Sequence, residues 1–392
     1  MSFSKAGLQQ KWTSEEDIRS VLDELKLMDK VTSLDLSGNT IGVEASKALA
    51  DAINKNDSIR NNVEDVNFAD MYTSRLVDEV VESLQLLLPA LQSCPKLSKV
   101  DLSDNAFGLR TIDSLEKFLR ETVQLKHIIL ANNGMGPFAG ERIGKALYVL
   151  AENKKKAGKS LLETFVCGRN RLENGSTRWL SQGLKAHGDD LHTVRLYQNG
   201  IRPQGCINLI KHGLSHNKKL HVLDLQDNTF TAVASDTLAQ YLTNWTQLKE
   251  LNLNDCLLKG PGSHAVLKVL KENKFDDLET LKLQYNELTQ HTLEHLLIPA
   301  LKAGNLPSLN SLELNGNRLE EDSEPLSLLP SLFDGELDEL DDLEEVDSEE
   351  EEESEDEEAE EEEMWDPAQL VKEETADKSV DDLTAELAET HI

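Results

Sequence analysis

The segment LKHIILANN at residues 125–133 sets apolar side chains at Leu125, Ile128 and Leu130 and closes on Asn133. The frame L-x-x-L-x-L-x-x-N recurs along the chain. Its ninth position is Asn39, Asn105, Asn133, Asn170, Asn199, Asn228, Cys256, Asn286 or Asn317, and a degenerate copy starting at Val63 ends on Met71. Successive ninth positions lie 28 to 37 residues apart. Ten copies at that spacing are far above chance and mark a repeat architecture. Alternate residues such as Leu34 and Leu36 leave a short strand on one side and enter a core. The ninth-position amide sits where the chain turns off the strand, where it can bond backbone groups that the turn leaves unpaired. Ile143, Ala146, Leu147 and Leu150 then repeat at helical spacing within GERIGKALYVLAEN, as do Ala48, Leu49, Ala52 and Ile53 earlier.

These periods predict an α/β leucine-rich-repeat solenoid, a horseshoe of the ribonuclease-inhibitor type with an inner parallel β-sheet and outer helices. Residues 30–333 are predicted to form ten to eleven repeats. Stacked repeats need covered ends. Residues 1–29 are expected to be an N-terminal cap built on a helix with Ser14 as N-cap. Leu326, Leu328, Leu329, Leu332 and Phe333 are expected to close the far end, and KKKAGKS at 154–160 reads as a surface loop.

The formal net charge of −33 is unevenly spread. Residues 334–363 carry 22 acidic residues and no Lys or Arg, whereas residues 1–333 hold 43 acidic against 38 basic. The segment 334–392 therefore reads as an acidic, largely disordered tail, with a short helix near Val380–Leu387 as its one candidate element. Cys94, Cys167, Cys206 and Cys256 show no CxxC or zinc spacing and read as free thiols. The first residues lack a secretory apolar core, no run of about 18 apolar residues occurs, and the C-terminus carries no lipidation box. A cytoplasmic monomer with no membrane association is expected.

Enzyme signatures are missing: the sequence has no GxxxxGK[ST], GxSxG or HExxH. Asn133-Gly-Met-Gly-Pro137 is too short for a dinucleotide loop. His291 and His295 stand four apart without a third ligand and read as a helix surface, so no metal site is expected. Basic residues form no patch interleaved with aromatics, which argues against nucleic acid.

One column remains informative. The residue before each ninth position is Gly38, Asp70, Asp104, Asn132, Arg169, Gln198, Asp227, Asp255, Tyr285 or Gly316. Strands stack at about 5 Å, so these side chains form one continuous ridge. It is either a docking surface for a protein of mixed charge or a solvated rim.

Several blocks are longer than the generic repeat requires: ILANNGMGPFAGERIGKAL (129–147), FVCGRNRLENGS (165–176), VLDLQDNTFT (222–231), LNLNDCLL (251–258), LKLQYNE (281–287) and GELDELDDLEE (335–345). They resemble the GTPase-activating proteins of Ran, from cap to acidic tail. The likeness is to the short fungal form, without the extra N-terminal domain of plant members or the SUMO-accepting C-terminal domain of vertebrate ones.

The resemblance implies a protein with no active site of its own that stimulates GTP hydrolysis by Ran in its GTP form. GTP and Mg2+ are then bound by the partner, and the chain itself needs no cofactor. The family is understood to work without an arginine finger, through an Asn of an LxNNGLGP block that holds the GTPase's catalytic Gln against the attacking water. That Asn matches Asn132, and the register agrees, because Asn133 is committed to the turn while Asn132 is free. Arg75, in TSRLVDEV, matches an Arg of the family's TGR block, with Ser74 standing where the family has Gly. It is read as an orienting contact to the GTPase, with an arginine finger or a plain surface Arg as alternatives. Asp104 is expected to belong to the partner-binding surface and to brace the Asn132 loop. Arg169, Arg171, Gln198, Asp227 and Asp255 are expected to contact the partner outside its nucleotide site, where single charges govern association more than chemistry. The tail is either solubilising or a contact to a basic partner, such as a Ran-binding protein or nuclear transport factor. The competing reading of the whole chain is a non-catalytic repeat scaffold or inhibitor.

Overall fold

The computed structural model describes residues 1–343. Twelve strands form one parallel sheet in strict chain order: Ser2–Ser4, Ser33–Asp35, Asp65–Asn67, Lys99–Asp101, His127–Ile129, Thr164–Val166, Thr193–Arg195, Val222–Asp224, Glu250–Asn252, Thr280–Lys282, Ser311–Glu313 and Glu336–Leu337. The middle residues pair in one line, Phe3–Leu34–Val66–Val100–Ile128–Phe165–Val194–Leu223–Leu251–Leu281–Leu312. Every member of that line is buried. It packs against helices on the other layer, of which Val43–Lys55, Val77–Gln92, Gly136–Lys156 and Glu173–His187 are typical. The predicted core positions Ile143, Ala146, Leu147 and Leu150 are all buried. Gly144 and Gly183 let two of these helices touch through their backbones: a Cβ on Gly144 would lie 2.4 Å from the Leu180 nitrogen.

The expected ladder of ninth-position amides is present. Asn133 donates from Nδ2 to the carbonyls of Leu102 (3.1 Å) and Leu130 (3.0 Å), and its Oδ1 accepts from the Asn105 N–H at 2.9 Å. Asn170 accepts in turn from the Asn133 N–H, and Asn199 from the Asn170 N–H, both at 2.9 Å. Asn39, Asn105, Asn228, Asn286 and Asn317 likewise donate to carbonyls of their own turns. Cys256 stands in for the amide, its Sγ reaching the Leu225 carbonyl at 3.3 Å.

Both ends differ from the sequence reading. The N-terminal segment is a full strand–loop–helix unit rather than a capping helix alone. Ser2–Ser4 extends the sheet, Lys11–Trp12 pairs with Thr40–Ile41, and helix Glu15–Lys26 follows. Ser14 is the N-cap, as expected, in a reciprocal capping box with Asp17. At the other end, order continues past 333. Glu336–Leu337 adds a last strand, and Leu337, Leu340 and Leu343 pack on the core beside Leu328, Leu332 and Phe333. Asp338 then finishes the sheet edge, its carboxylate accepting from the N–H groups of Leu314 (2.8 Å) and Asn315 (2.9 Å). An acidic side chain thus replaces the carbonyls that another strand would offer. The expected disorder beyond residue 343 and the candidate helix at Val380–Leu387 lie outside the described residues.

The 154–160 segment also differs. Lys154–Lys156 is the last turn of helix Gly136–Lys156, and the Lys154 side chain is buried. Its Nζ donates to the carbonyls of Val123 (2.9 Å), Ser160 (3.0 Å) and Leu125. Burial, helped by the charge of Lys126, pulls its pKa down to about 8. Beside it, His187 accepts from the Leu162 N–H at Nδ1 (3.1 Å) and meets the Leu147 carbonyl through Nε2 (3.1 Å). That pairing requires the neutral ring. Burial, then the Lys154 charge, pushes the His187 pKa down to about 3. Between about 3 and 6.5 the unfolded chain binds a proton that the folded chain refuses, so stability is full above 6.5 and falls as the pH drops through that window. The expected slope is about 1.4 kcal/mol per pH unit from this residue. Denaturant titrations from pH 7 to pH 4 should show it, and His187→Gln should flatten it. An equal slope in the variant would remove His187 as the cause.

The four cysteines are free and buried. Burial raises the Cys94 and Cys167 thiols to about 11 and about 12, so both stay protonated.

Candidate functional site

The ridge column is set by backbone geometry. Gly38, Asp70, Asp104, Asn132, Arg169, Gln198, Asp227, Asp255, Tyr285 and Gly316 all lie in the left-handed region, with φ between +50° and +69°. From Gly38 to Tyr285 each N–H reaches across to the next repeat, for example Asp104 to the Ala131 carbonyl (2.9 Å), Asn132 to Gly168 (2.8 Å), Arg169 to Tyr197 (2.8 Å) and Gln198 to Gln226 (2.7 Å). The left-handed turn is what swings these N–H groups into the sheet's hydrogen-bond direction after each strand ends. Gly, Asn and Asp adopt it at little cost, and other residues pay about 1–2 kcal/mol. The Asp and Asn content of the column therefore has a backbone origin. Arg169, Gln198 and Tyr285 are the members that geometry does not favour. Tyr285 is accounted for by its hydroxyl, which donates to Asp342 of the C-terminal segment at 3.2 Å.

Asn132 is exposed, whereas its neighbour Asn133 is buried in the ladder. The structure thus separates the two asparagines as the register predicts. The Nδ2 of Asn132 donates to Asp104 Oδ1 at 2.7 Å. Asp104 and Asn132 are the predicted site residues that the fold brings into direct contact. Arg169 and Arg171 are exposed, both at positive φ, on either side of buried Asn170 in the next repeat. Gln198 follows on the ridge, exposed. Further along, partial burial and then the Asp227 charge hold the Asp255 carboxyl above the usual range, so these two acids form one negative step.

Arg75 is placed differently from an outward contact. Its side chain is 10% exposed. Nε donates to Thr40 Oγ1 (2.8 Å), and the two Nη atoms reach Thr13 Oγ1 (3.2 Å each) and the carbonyls of Thr40 (3.3 Å) and Trp12 (3.4 Å). Glu79 stands 3.9 Å away. Four acceptors on three residues of the N-terminal unit and the first repeat converge there, so the guanidinium clamps those units to the loop that carries it. Ser74 before it has φ +66°, which explains why a Gly is the natural occupant of that position.

Two features were not read from the sequence. Leu76, Val77, Leu109 and Phe138 are exposed on the helix-entry side of three successive repeats. They fall outside the repeat's core positions, so periodicity is silent about them. On the open face of the sheet, Arg195 binds Glu250 at 2.7 and 2.9 Å and Asp224 at 2.9 Å. Its acids neutralise it within the fold. No group of three or more His, Cys, Asp or Glu among the described residues is arranged to hold a metal ion, and no described helix is long and apolar enough to cross a membrane.

A leucine-rich-repeat family model matches residues 30–50 and 216–233. The chain is 59% identical over 293 residues to Ran GTPase-activating protein 1 of Saccharomyces cerevisiae, covering 74% of this chain and 72% of that protein. It is 41% identical over 208 residues to Ran GTPase-activating protein 2 of Caenorhabditis elegans, which covers 52% of this chain and 21% of that protein. The Ran GTPase-activating protein of Drosophila melanogaster is 36% identical over 218 residues, with 54% and 35% covered. The chain belongs to the family of Ran GTPase-activating proteins.

Proposed function

We propose that the protein accelerates GTP hydrolysis by the small GTPase Ran, completing the partner's active site with Asn132 and without an arginine finger. The observation that carries this reading is the exposed amide of Asn132 beside the buried amide of Asn133. One asparagine builds the turn and the other is left to act on a second protein. A neutral amide adds no charge to the transferring phosphoryl group, but it can fix the orientation of another amide, and orientation is much of what catalysis of this transfer needs. GTP and Mg2+ belong to the partner on this reading. The inward clamp of Arg75 supports a role through the N-terminal unit it holds, rather than as a finger. Arg169, Arg171, Gln198, Asp227 and Asp255 extend the contact along the ridge and set association. The reading carries a cytoplasmic monomer with it.

Single-turnover hydrolysis of GTP preloaded on Ran tests it. Addition of the protein should raise the rate by several orders of magnitude, as activators of small GTPases do, roughly 10⁵-fold in the best case. Binding without acceleration would replace the proposal by a recognition scaffold or inhibitor.

A further inference from the structure

We propose that Asp104 is a positioning residue that decides which end of the Asn132 amide faces the partner; this rests on the function proposed above. An exposed asparagine can rotate its amide by half a turn at little cost, exchanging a donor for an acceptor at the same place. Asn132 lacks that freedom. Its Nδ2 lies 2.7 Å from Asp104 Oδ1. A carboxylate only accepts, so the opposite orientation would set two acceptor oxygens against each other. Both residues are held by left-handed backbones, φ +60° and +53°, and by N–H bonds to the Ala131 and Gly168 carbonyls. Donor and acceptor therefore arise from adjacent ridge positions at fixed spacing.

The consequence is a defined polarity. With the amide nitrogen turned to Asp104, the Asn132 carbonyl oxygen is presented to the partner. That oxygen accepts an N–H from the partner's glutamine. The glutamine is then oriented with its own carbonyl free to accept from the attacking water. Asp104 touches neither the glutamine nor the water and acts through Asn132 alone, which gives the bracing read for it from the sequence a definite chemical form.

The test is steady-state stimulation of Ran·GTP hydrolysis by the full chain, with the variants Asp104→Ala, Asp104→Asn, Asn132→Ala and the double alanine variant. Asp104→Ala should lower kcat about tenfold or more and leave KM for Ran·GTP within about twofold. Asp104→Asn keeps an acceptor for Nδ2 but also offers a donor to Oδ1, so its kcat should fall between those of the parent and the alanine variant. The double variant should be no slower than Asn132→Ala, because the effect passes through that residue. A rise in KM with unchanged kcat, or effects that multiply in the double variant, would overturn the proposal. The side-chain amide resonance of Asn132 gives a readout without the partner. Its Nδ2 signal should move toward free-amide values in Asp104→Ala, and an unmoved signal would show that the contact does not orient Asn132. A parent that binds Ran but does not accelerate hydrolysis would remove the function and the catalytic use of the contact together, while the resonance would still report whether the contact exists.

Discussion

Replacing Asn132 by glycine is expected to slow the stimulated hydrolysis by about 10²–10³-fold with little change in fold stability. Asn132 is exposed, and its one side-chain bond is to Asp104. Removing the side chain leaves no buried group unpaired. Glycine is the informative replacement because the position holds φ +53°, where alanine adds a backbone cost of about 1 kcal/mol or more. Asn132→Ala should show the same rate loss with a slightly lower denaturant midpoint. Loss of rate in both variants, with binding to Ran·GTP retained, would separate the chemical role from backbone strain. A glycine variant as fast as the parent would remove Asn132 from the mechanism.

Asn133→Ala is expected to do the opposite, costing about 3–5 kcal/mol of stability. The substitution leaves the buried N–H of Asn105 without its partner and removes one of two donors from the carbonyls of Leu102 and Leu130, which the Nδ2 atoms of Asn105 and Asn170 still reach. The unpaired N–H costs about 1–3 kcal/mol, and each of the two lost carbonyl bonds about 0.5–1.5 kcal/mol. Repeats contact chiefly their neighbours, so the loss should concentrate where the ladder is cut. Urea titration gives the total. Hydrogen exchange should localise it to the turns ending at Asn105, Asn133 and Asn170. A variant with the parent's midpoint would mean that water or relaxed backbone replaces these bonds, and the ladder would lose its structural meaning.

The repeats were legible because their signal is physical and local. Leu125, Ile128, Leu130 and Asn133 name a strand, its buried face and its turn in nine residues. The N-terminal unit was not legible for the same reason. Phe3 stands where Leu34 stands one repeat later, but Lys5 and Leu8 occupy the next apolar and amide positions, so the frame is broken. At the other end, the acidity that marks the tail concealed a last strand, because Asp338 and Asp342 are used as hydrogen-bond acceptors rather than solvated charges. Within the site, the division of labour between Asn132 and Asn133 followed from register alone. The inward turn of Arg75 did not, since its acceptors come from Trp12, Thr13 and Thr40, distant in sequence. The contact of Asp104 with Asn132 joins residues 28 apart, and the repeat period is what brings them side by side.

The left-handed column also limits how the ridge can be rewritten. Its positions share a conformation that admits a short alphabet, chiefly glycine, asparagine and aspartate. Redirecting such a surface to another partner by exchanging those letters is inexpensive only within that set. A valine or isoleucine there would contest the turn itself, and the strand behind it would have to shift. A new specificity is therefore easier to write on the flanking residues of the loops, as at Phe138 or Leu109, where the backbone imposes no such spelling.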